Sequence, residues 1–508
     1  MSSRFLKDLL TYLPARLLPA LTSFITVPIV TRWLTPAEYG DYALAIGVSD
    51  FLFAMTCSGL GAGAVRFYAA YQAADRLGAF FKTLGVALLI AIGGGGLMAL
   101  SVLVIIGRTL SDDLQPLLVI SLLVFVVQAI YIVLMQVVRA QERSRLYTAV
   151  ELLTGYGSLG LGLLLLIALD WGASGLLWGM VSAYALSLIV LLPQVRRAGP
   201  GRGNSRLESG DLSGLWRYAW PLALGNLAMW GLRLSDRYLL GAFRSRTEVG
   251  LYSAAYNISG KSIDILVAVF LLSMGPLVIN LWEKSGREAA QRALQSTTRI
   301  FLLLGLPAAA GLSALAAPFV ALLTDAPYHA GYQIVAYVVF ARFLYGLSQI
   351  AGVGLLIAQR TRRVAVIQLA AAAVNLGLNL ALIPQFGFVA AGATALIGYV
   401  ILFAWQAAAA RPYLTWHLPN RTLRNTLIAS AAACLTADGL YALLNPAADV
   451  NALALGAAIV AAVMVYGVSL RVVNEFTSAE LAAIKTNMAR VLHRSRVNTR
   501  ASKETAIL

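Results

Sequence analysis

Apolar runs of about twenty residues alternate with short charged or Gly/Pro-rich stretches along almost the whole chain. An α-helix needs about 20 apolar residues to cross the hydrocarbon core of a bilayer. The pattern therefore predicts about fourteen transmembrane helices. The first block of six is predicted at residues 9–31, 39–64, 83–106, 115–138, 147–169 and 173–194. The second block is predicted at residues 216–241, 250–281, 300–323, 333–358, 364–383 and 388–410, and two further helices at 424–444 and 452–472.

Composition agrees with a helical membrane protein. Of the 508 residues, 59% are hydrophobic and only 12% are charged, against about 45–50% and about 25% in soluble domains. A transmembrane β-barrel would show short alternating segments, whereas these runs are long and continuous. The predicted fold class is thus an all-α polytopic bundle. Cys57 and Cys434 both lie in apolar runs and indicate neither a disulfide framework nor a metal cluster, and no cofactor motif is present.

Charge predicts the orientation in the membrane. A net charge of +16 is compatible with nucleic-acid binding, but most of the 39 Lys and Arg residues fall in the termini and loops that fourteen helices place on one face. The opposite loops hold only Arg32, Arg108, Arg244 and Arg246. Basic loops are retained on the cytoplasmic side. We therefore expect both termini in the cytoplasm and no nucleic-acid partner.

An internal repeat divides the chain. The pattern E-x-G-x-Y-x-x-A occurs at residues 38–45 and again at 248–255, and each copy opens a helix. Since each repeat holds six helices, the two halves share one orientation and are related by an axis along the membrane normal. The predicted domains are an N-terminal lobe (1–194), a cytoplasmic linker (195–215), a C-terminal lobe (216–411), two additional helices (424–472) and a basic cytoplasmic tail (473–508).

The segment Leu-Thr-Pro-Ala-Glu-Tyr-Gly-Asp-Tyr-Ala at 34–43, together with Ser-Asp-Arg-Tyr-Leu-Leu-Gly at 235–241 before the second repeat, carries a family resemblance. The chain resembles the polysaccharide-export and O-antigen flippase branch of the multidrug/oligosaccharidyl-lipid/polysaccharide exporter superfamily. These motifs are turns and helix starts, so they identify the family better than the cargo.

The resemblance implies a V-shaped, MATE-like bundle of two six-helix lobes. It also implies translocation of an undecaprenyl-diphosphate-linked oligosaccharide across the bacterial inner membrane, for exopolysaccharide, O-antigen or capsule synthesis. The expected partners are this lipid-linked substrate, membrane lipids and a polysaccharide polymerase or co-polymerase.

Basic residues inside the predicted helices are the candidate substrate-binding groups. A charge at the centre of a membrane helix costs at least ~2.5 kcal/mol, so such residues usually face a bundle interior or a wet cavity. A guanidinium fork suits a diphosphate because it donates two parallel hydrogen bonds. Snorkelling of Arg16 or Arg342 to the interface stays an alternative, as do ion pairs between Arg233 and Asp236 and between Lys261 and Asp264. The five candidates are Arg16, Arg233, Arg237, Lys261 and Arg342.

Acidic residues in the same helices are candidates for ion coupling. Asp50 is the one clear ionisable group in the middle of the second predicted helix, and Asp236 and Asp264 lie in the seventh and eighth. A carboxylate at this depth is suited to proton or sodium coupling. Pairing of Asp50 with Arg16 on the adjacent helix is the alternative.

Two other functions are weighed against a flippase. A cation-coupled multidrug exporter of the same fold would favour an acidic cavity, whereas five basic candidates face three acidic ones. A membrane polymerase or ligase would need a sizeable outward loop bearing acid/base groups, and the predicted outward loops are short. We therefore expect a transporter without catalytic residues.

Overall fold

The computed structural model describes residues 24–106, 111–197, 209–445 and 451–476, and within these ranges it contains helices and no strand. The helices are α1 (24–30), α2 (Pro36–Thr56), α3 (Ser58–Ala73), α4 (Leu77–Ile106), α5 (Leu114–Ala140), α6 (Ser144–Ile167), α7 (Gly172–Arg197), α8 (Ser209–Phe243), α9 (Arg246–Ala314), α10 (Ala316–Leu323), α11 (Val335–Ala351), α12 (Val353–Ile357), α13 (Thr361–Ala410), α14 (Asn420–Leu444) and α15 (Ala452–Val472). A 3-10 helix at Ala326–Ile334 precedes α11. The predicted all-α polytopic class is confirmed.

The number of membrane spans agrees approximately with the predicted fourteen. Ten helical stretches of the described ranges, two of them in α9, are long and apolar enough to cross a membrane, and the bent pair α2 and α3 meets the same criterion when the two are taken together. One of the ten, α13, holds two predicted spans, divided at Gly387, whose φ of 61° breaks the helix. Arg233, Asp236 and Arg237 interrupt the apolar run of α8, which is not among the ten.

The bend between α2 and α3 has a local cause in two hydroxyl side chains. Thr56 Oγ1 donates to the carbonyl of Leu52 (2.7 Å) and Ser58 Oγ to that of Ala54 (2.6 Å). Hydroxyls that bond to the carbonyl four residues back bend helices. The two helices meet at 45° around Cys57, so the predicted single helix 39–64 is a broken one.

Buried apolar clusters hold the bundle together. One cluster joins helices α2, α3, α4, α5 and α7 and includes Leu60, Phe125 and Leu191. Another joins α9 and α11 and includes Phe301 and Val339. A third cluster joins the first half of the chain to the second; its residues include Leu44, Leu240, Tyr252 and Ile334. The halves are therefore in direct apolar contact.

The structure adds detail at two predicted domain boundaries, the linker at 195–215 and the two additional helices. Helix α7 continues to Arg197 and α8 begins at Ser209, so helices occupy both ends of the predicted linker 195–215. The two additional helices pack on the later part of α9 through Leu303, Ala429 and Leu470. The division into lobes stays a prediction, and nearly all of the predicted tail lies outside the described residues.

The repeated motif starts α2 and α9 in the same way. Thr35 accepts a hydrogen bond from the Glu38 backbone N–H, and the Glu38 carboxylate accepts one from the Thr35 backbone N–H (2.8 Å), which forms a capping box. Ser245 caps α9 by accepting from the Glu248 N–H (3.1 Å). These bonds satisfy orphan donors of the first turn. The Glu38 side chain completes the cap of α2, whereas the Glu248 carboxylate accepts from Arg244 Nε (3.0 Å) and from the Phe388 backbone N–H (3.0 Å).

Candidate functional site

The backbones of α2 and α9 touch where the two helices begin. A Cβ on Gly40 would overlap the carbonyl oxygen of Arg246, and a Cβ on Gly250 would overlap that of Pro36. Each glycine thus lies against the first turn of the opposite helix, in a reciprocal arrangement. Only glycine permits so close a backbone contact. We call this region, defined by Gly40 and Gly250, the closed end.

An inter-helix ion pair reinforces the closed end. Arg246 Nη1 lies 2.8 Å from Asp41 Oδ2 and 3.5 Å from Asp113 Oδ2. The same nitrogen donates to Ser111 Oγ (3.0 Å). Arg246 begins α9, whereas its three partners belong to the first half of the chain. The closed end therefore joins the two halves by backbone contact and by charge.

A cavity of about 660 Å³ lies between the two halves, next to the closed end. The first half contributes side chains from α1, α2, α6 and α7, and the second half from α8, α9 and α11. On α2 the lining residues recur at helical spacing, so one face of that helix forms a wall. They are Tyr39, Tyr42, Ile46, Asp50 and Phe53.

Four of the five predicted basic residues line this cavity: Arg233, Arg237, Lys261 and Arg342. We call it the basic cavity. Arg233 is exposed and Lys261 half-buried, and neither has a salt-bridge or hydrogen-bond partner among the described residues. Arg16, the fifth, lies outside the described residues. Arg233 and Lys261 are therefore placed to meet an anion in the cavity.

The other two basic residues flank one aromatic ring. The guanidinium carbons of Arg237 and Arg342 lie 5.5 Å and 4.9 Å from the ring centroid of Tyr256. Both side chains are buried, with only 6% and 4% of the residue surface exposed. A ring face attracts cations most strongly where water is excluded. Tyr256 therefore keeps two like charges at the cavity wall.

Asp264 contacts a different basic residue from the one that helix spacing suggests. Its Oδ1 lies 3.7 Å from Arg342 Nε on α11, while no salt bridge to Lys261 is formed among the described residues. Arg342 has no acidic neighbour on its own helix, and its carboxylate neighbour, Asp264, comes from α9. Spacing along one helix cannot detect such a pair because it depends on how two helices pack.

Asp50 lies in the cavity wall and accepts a hydrogen bond from Gln128 Nε2 (3.3 Å) on α5. Gln128 in turn accepts one from Ser49 (2.8 Å). The alternative pairing of Asp50 with Arg16 involves a residue outside the described ranges. Asp50 is thus placed among the cavity cations, and its coupling role stays a prediction.

Asp236 is placed differently from the other candidates. It is buried, accepts hydrogen bonds from the Tyr252 hydroxyl and the Arg237 backbone N–H (3.0 Å), and is not part of the lining of the basic cavity. The ion pair between Arg233 and Asp236, which helix spacing allows, is not formed among the described contacts. Asp236 therefore braces α8 against α9.

The comparisons with known proteins can now be set beside this geometry. Residues 5–281 match the model of the family described as "Polysaccharide biosynthesis protein", which is more than half of the chain. The chain belongs to this family. No curated protein matches it.

Solved structures of a flippase and of MATE transporters share the fold of this chain. The lipid II flippase MurJ, in an inward closed conformation, superposes with a TM-score of 0.70 at 11% identity, over 90% of this chain and 97% of that one. An inward-facing multidrug resistance MATE family transporter superposes with a TM-score of 0.62 at 12% identity, over 78% of this chain and 95% of that one. A point mutant of the Vibrio cholerae MATE transporter VcmN superposes with a TM-score of 0.54 at 17% identity, over 80% of this chain and 95% of that one.

The family and the fold decide several predictions. This member of the polysaccharide biosynthesis family is a multi-pass membrane protein with a MurJ- and MATE-like fold. The family match and the fold agree with the prediction of a transporter rather than an enzyme. At these identities the likeness to solved structures establishes the fold alone.

Several lining residues escaped the sequence analysis. Trp230 and Asn226 lie one and two turns from Arg233 on α8, and Asn257 lies one turn from Lys261 on α9. Arg237 Nη2 donates to Asn257 Oδ1 (3.4 Å), and Asn257 donates to the Tyr39 hydroxyl (3.2 Å). The periodic stripe through the charged residues was the signal that would have found them.

Proposed function

We propose that the chain translocates undecaprenyl-diphosphate-linked oligosaccharide units across the bacterial inner membrane by alternating access. The observation that supports it best is the basic cavity, in which four basic side chains accompany two carboxylates, and one of those, Asp264, already contacts Arg342. A diphosphate matches the remaining positive charge. Arg233 and Lys261 are the groups we assign to first contact with it, since guanidinium and ammonium groups both bind phosphate oxygens.

The membrane orientation follows from the positive-inside rule. Arg32, Arg244 and Arg246 lie at the closed end, which the charge pattern places outside the cytoplasm. We therefore propose that both termini are cytoplasmic and that the basic cavity is reached from that side. MurJ, which shares the fold, is a flippase of lipid II, and this supports a lipid-linked substrate here. A polymerase or co-polymerase that receives the flipped unit is the partner we propose.

A cation-coupled multidrug exporter is the second candidate, because MATE transporters share the fold. Asp50, which has no salt bridge among the described residues, is the observation in its favour. The excess of basic side chains disfavours it, since like charges repel a cationic drug at short range. The lipid-linked diphosphate is thus the better match.

Transfer in proteoliposomes tests the proposal. Undecaprenyl diphosphate carrying a labelled oligosaccharide is followed between leaflets for the wild type, Arg233→Ala and Arg362→Ala. Arg362 is exposed and lies outside the cavity, so its variant removes the same charge elsewhere. We expect Arg233→Ala to slow transfer about tenfold or more, since bonds to a charged group contribute ~1.5–3 kcal/mol, and Arg362→Ala to have little effect. Equal transfer by all three would remove Arg233 from the site, and no transfer by the wild type would contradict the function.

A further inference from the structure

A second cavity, of about 570 Å³, adjoins the basic cavity on the side away from the closed end. The two share Phe53 and Asn226 in their walls. The remaining lining comes from Ala54 of α2, from α3 and from the later part of α5. A molecule held in the basic cavity can therefore extend into the second one.

The second cavity differs from the first in its chemistry. Its polar side chains include the amides of Gln136 and Asn226, neither of which has a hydrogen-bond partner among the described residues. Its charged lining residue, Arg139, stands in the last turn of α5. Gln136 is half-buried and Asn226 is exposed, so both amides can be reached from the cavity. With no partner among the described side chains, they are free to hydrogen-bond to water or to a ligand.

The bend at Cys57 helps to create this space. After the bend, α3 presents the small side chains of Gly61 and Ala62 to the cavity. A Cβ on Gly61 would lie 3.2 Å from Gln136 Cγ, so α3 approaches α5 closely while leaving room around the Gln136 amide. Small residues on one wall and amides on two others leave room for a bulky group that can form hydrogen bonds.

We propose that the second cavity binds the sugar units of the substrate, with Gln136 and Asn226 hydrogen-bonding to sugar hydroxyls. An amide offers both donors and an acceptor, as a hydroxyl does. Phe53, at the junction, offers an apolar surface to a sugar ring, while the basic cavity holds the diphosphate. This inference rests on the proposed function and adds a separate glycan site to it.

Binding of two probes to the purified protein tests the inference. One probe is undecaprenyl diphosphate and the other is undecaprenyl diphosphate carrying an uncharged oligosaccharide of N-acetylhexosamine units. The variant is Gln136→Leu, which keeps the side-chain volume and removes the amide. Its matched control is Gln385→Leu, at an exposed amide outside both cavities. Arg233→Ala reports on the diphosphate site.

We expect Gln136→Leu to weaken binding of the glycan-bearing probe about fivefold to tenfold, as for the loss of one or two hydrogen bonds, and to leave binding of undecaprenyl diphosphate unchanged. Gln385→Leu should change the binding of neither probe, and Arg233→Ala should weaken the binding of both probes. Unchanged binding of both probes by Gln136→Leu would overturn the glycan site, and so would an equal loss of both. A wild type that binds neither probe would instead contradict the proposed function.

Discussion

Buried guanidinium groups are the residues on which the account depends. Arg237 and Arg342 are almost fully buried, yet within the described contacts only Arg342 lies within ion-pair distance of a carboxylate. A buried charge is tolerated only where nearby groups replace water. Tyr256, Asp264 and Asn257 supply such groups while leaving both Nε atoms without a hydrogen-bond partner among the described residues. Arg237 thus keeps its positive charge with no carboxylate at ion-pair distance among the described residues, whereas Arg342 has Asp264 at 3.7 Å.

The glycines of the closed end give a prediction at the same scale. Gly40→Ala places a methyl group against the backbone carbonyl of Arg246, which cannot move as a side chain can. We expect a loss of about 1–3 kcal/mol in the stability of the closed arrangement, as for overpacked cores. Thermal unfolding in detergent, together with a spectroscopic distance between labels on α2 and α9, measures the effect.

Gly85→Ala is the matched control, because nothing lies within 4 Å of a Cβ added there. Within helix α4 the added methyl should raise stability slightly, through the higher helix propensity of alanine. If Gly40→Ala and Gly85→Ala melt alike and the distance between α2 and α9 does not lengthen, the backbone contact at the closed end is not tight.

At the scale of whole helices, the end of α15 is tied to α9 and α14 by one carboxylate. Glu475 accepts hydrogen bonds from Thr422 Oγ1 (2.6 Å), Asn425 Nδ2 (2.9 Å) and Arg299 Nε (3.0 Å). Burial alone would raise the pKa of Glu475, but these hydrogen bonds and the charge of Arg299 outweigh burial and lower it. The residue follows α15 and so lies outside the membrane-spanning segments.

This lowered pKa predicts a pH dependence. Because the folded-state pKa of Glu475 lies below its ordinary value of 4.5, its contribution to stability is present above that value and is lost as the pH falls through the folded-state pKa. We expect the melting temperature of the wild type to fall further than that of Glu475→Gln between pH 7 and pH 3. Equal losses in the two proteins would show that Glu475 does not contribute in this way.

The helices were predictable because the length of an apolar run is a local property of the chain. The basic residues were found for the same reason, since Arg233 and Lys261 interrupt such runs. The partners of the basic residues could not be predicted, because the contact of Arg342 with Asp264 depends on how α9 packs against α11. The bend at Cys57 was also missed, since it arises from two hydroxyls that bond to the backbone and not from a proline.

At the scale of the whole molecule, the closed end and the basic cavity together fit one state of the proposed transport cycle. The two halves meet through Gly40, Gly250 and the ion pair of Arg246 with Asp41, and the cavity lies next to that contact. For a headgroup to leave on the opposite side, this contact must separate. Opening there and closing at the other end constitutes alternating access.

Reversible cross-linking of the closed end is the most direct test of this claim. Asp41→Cys and Arg246→Cys are introduced into a chain lacking Cys57 and Cys434, joined by a short bis-thiosulfonate reagent, and tested for transfer of the labelled lipid-linked oligosaccharide in proteoliposomes. The account predicts that transfer stops when the two residues are joined and resumes on reduction of the link. Transfer that continues at the uncross-linked rate while the link is intact would contradict it.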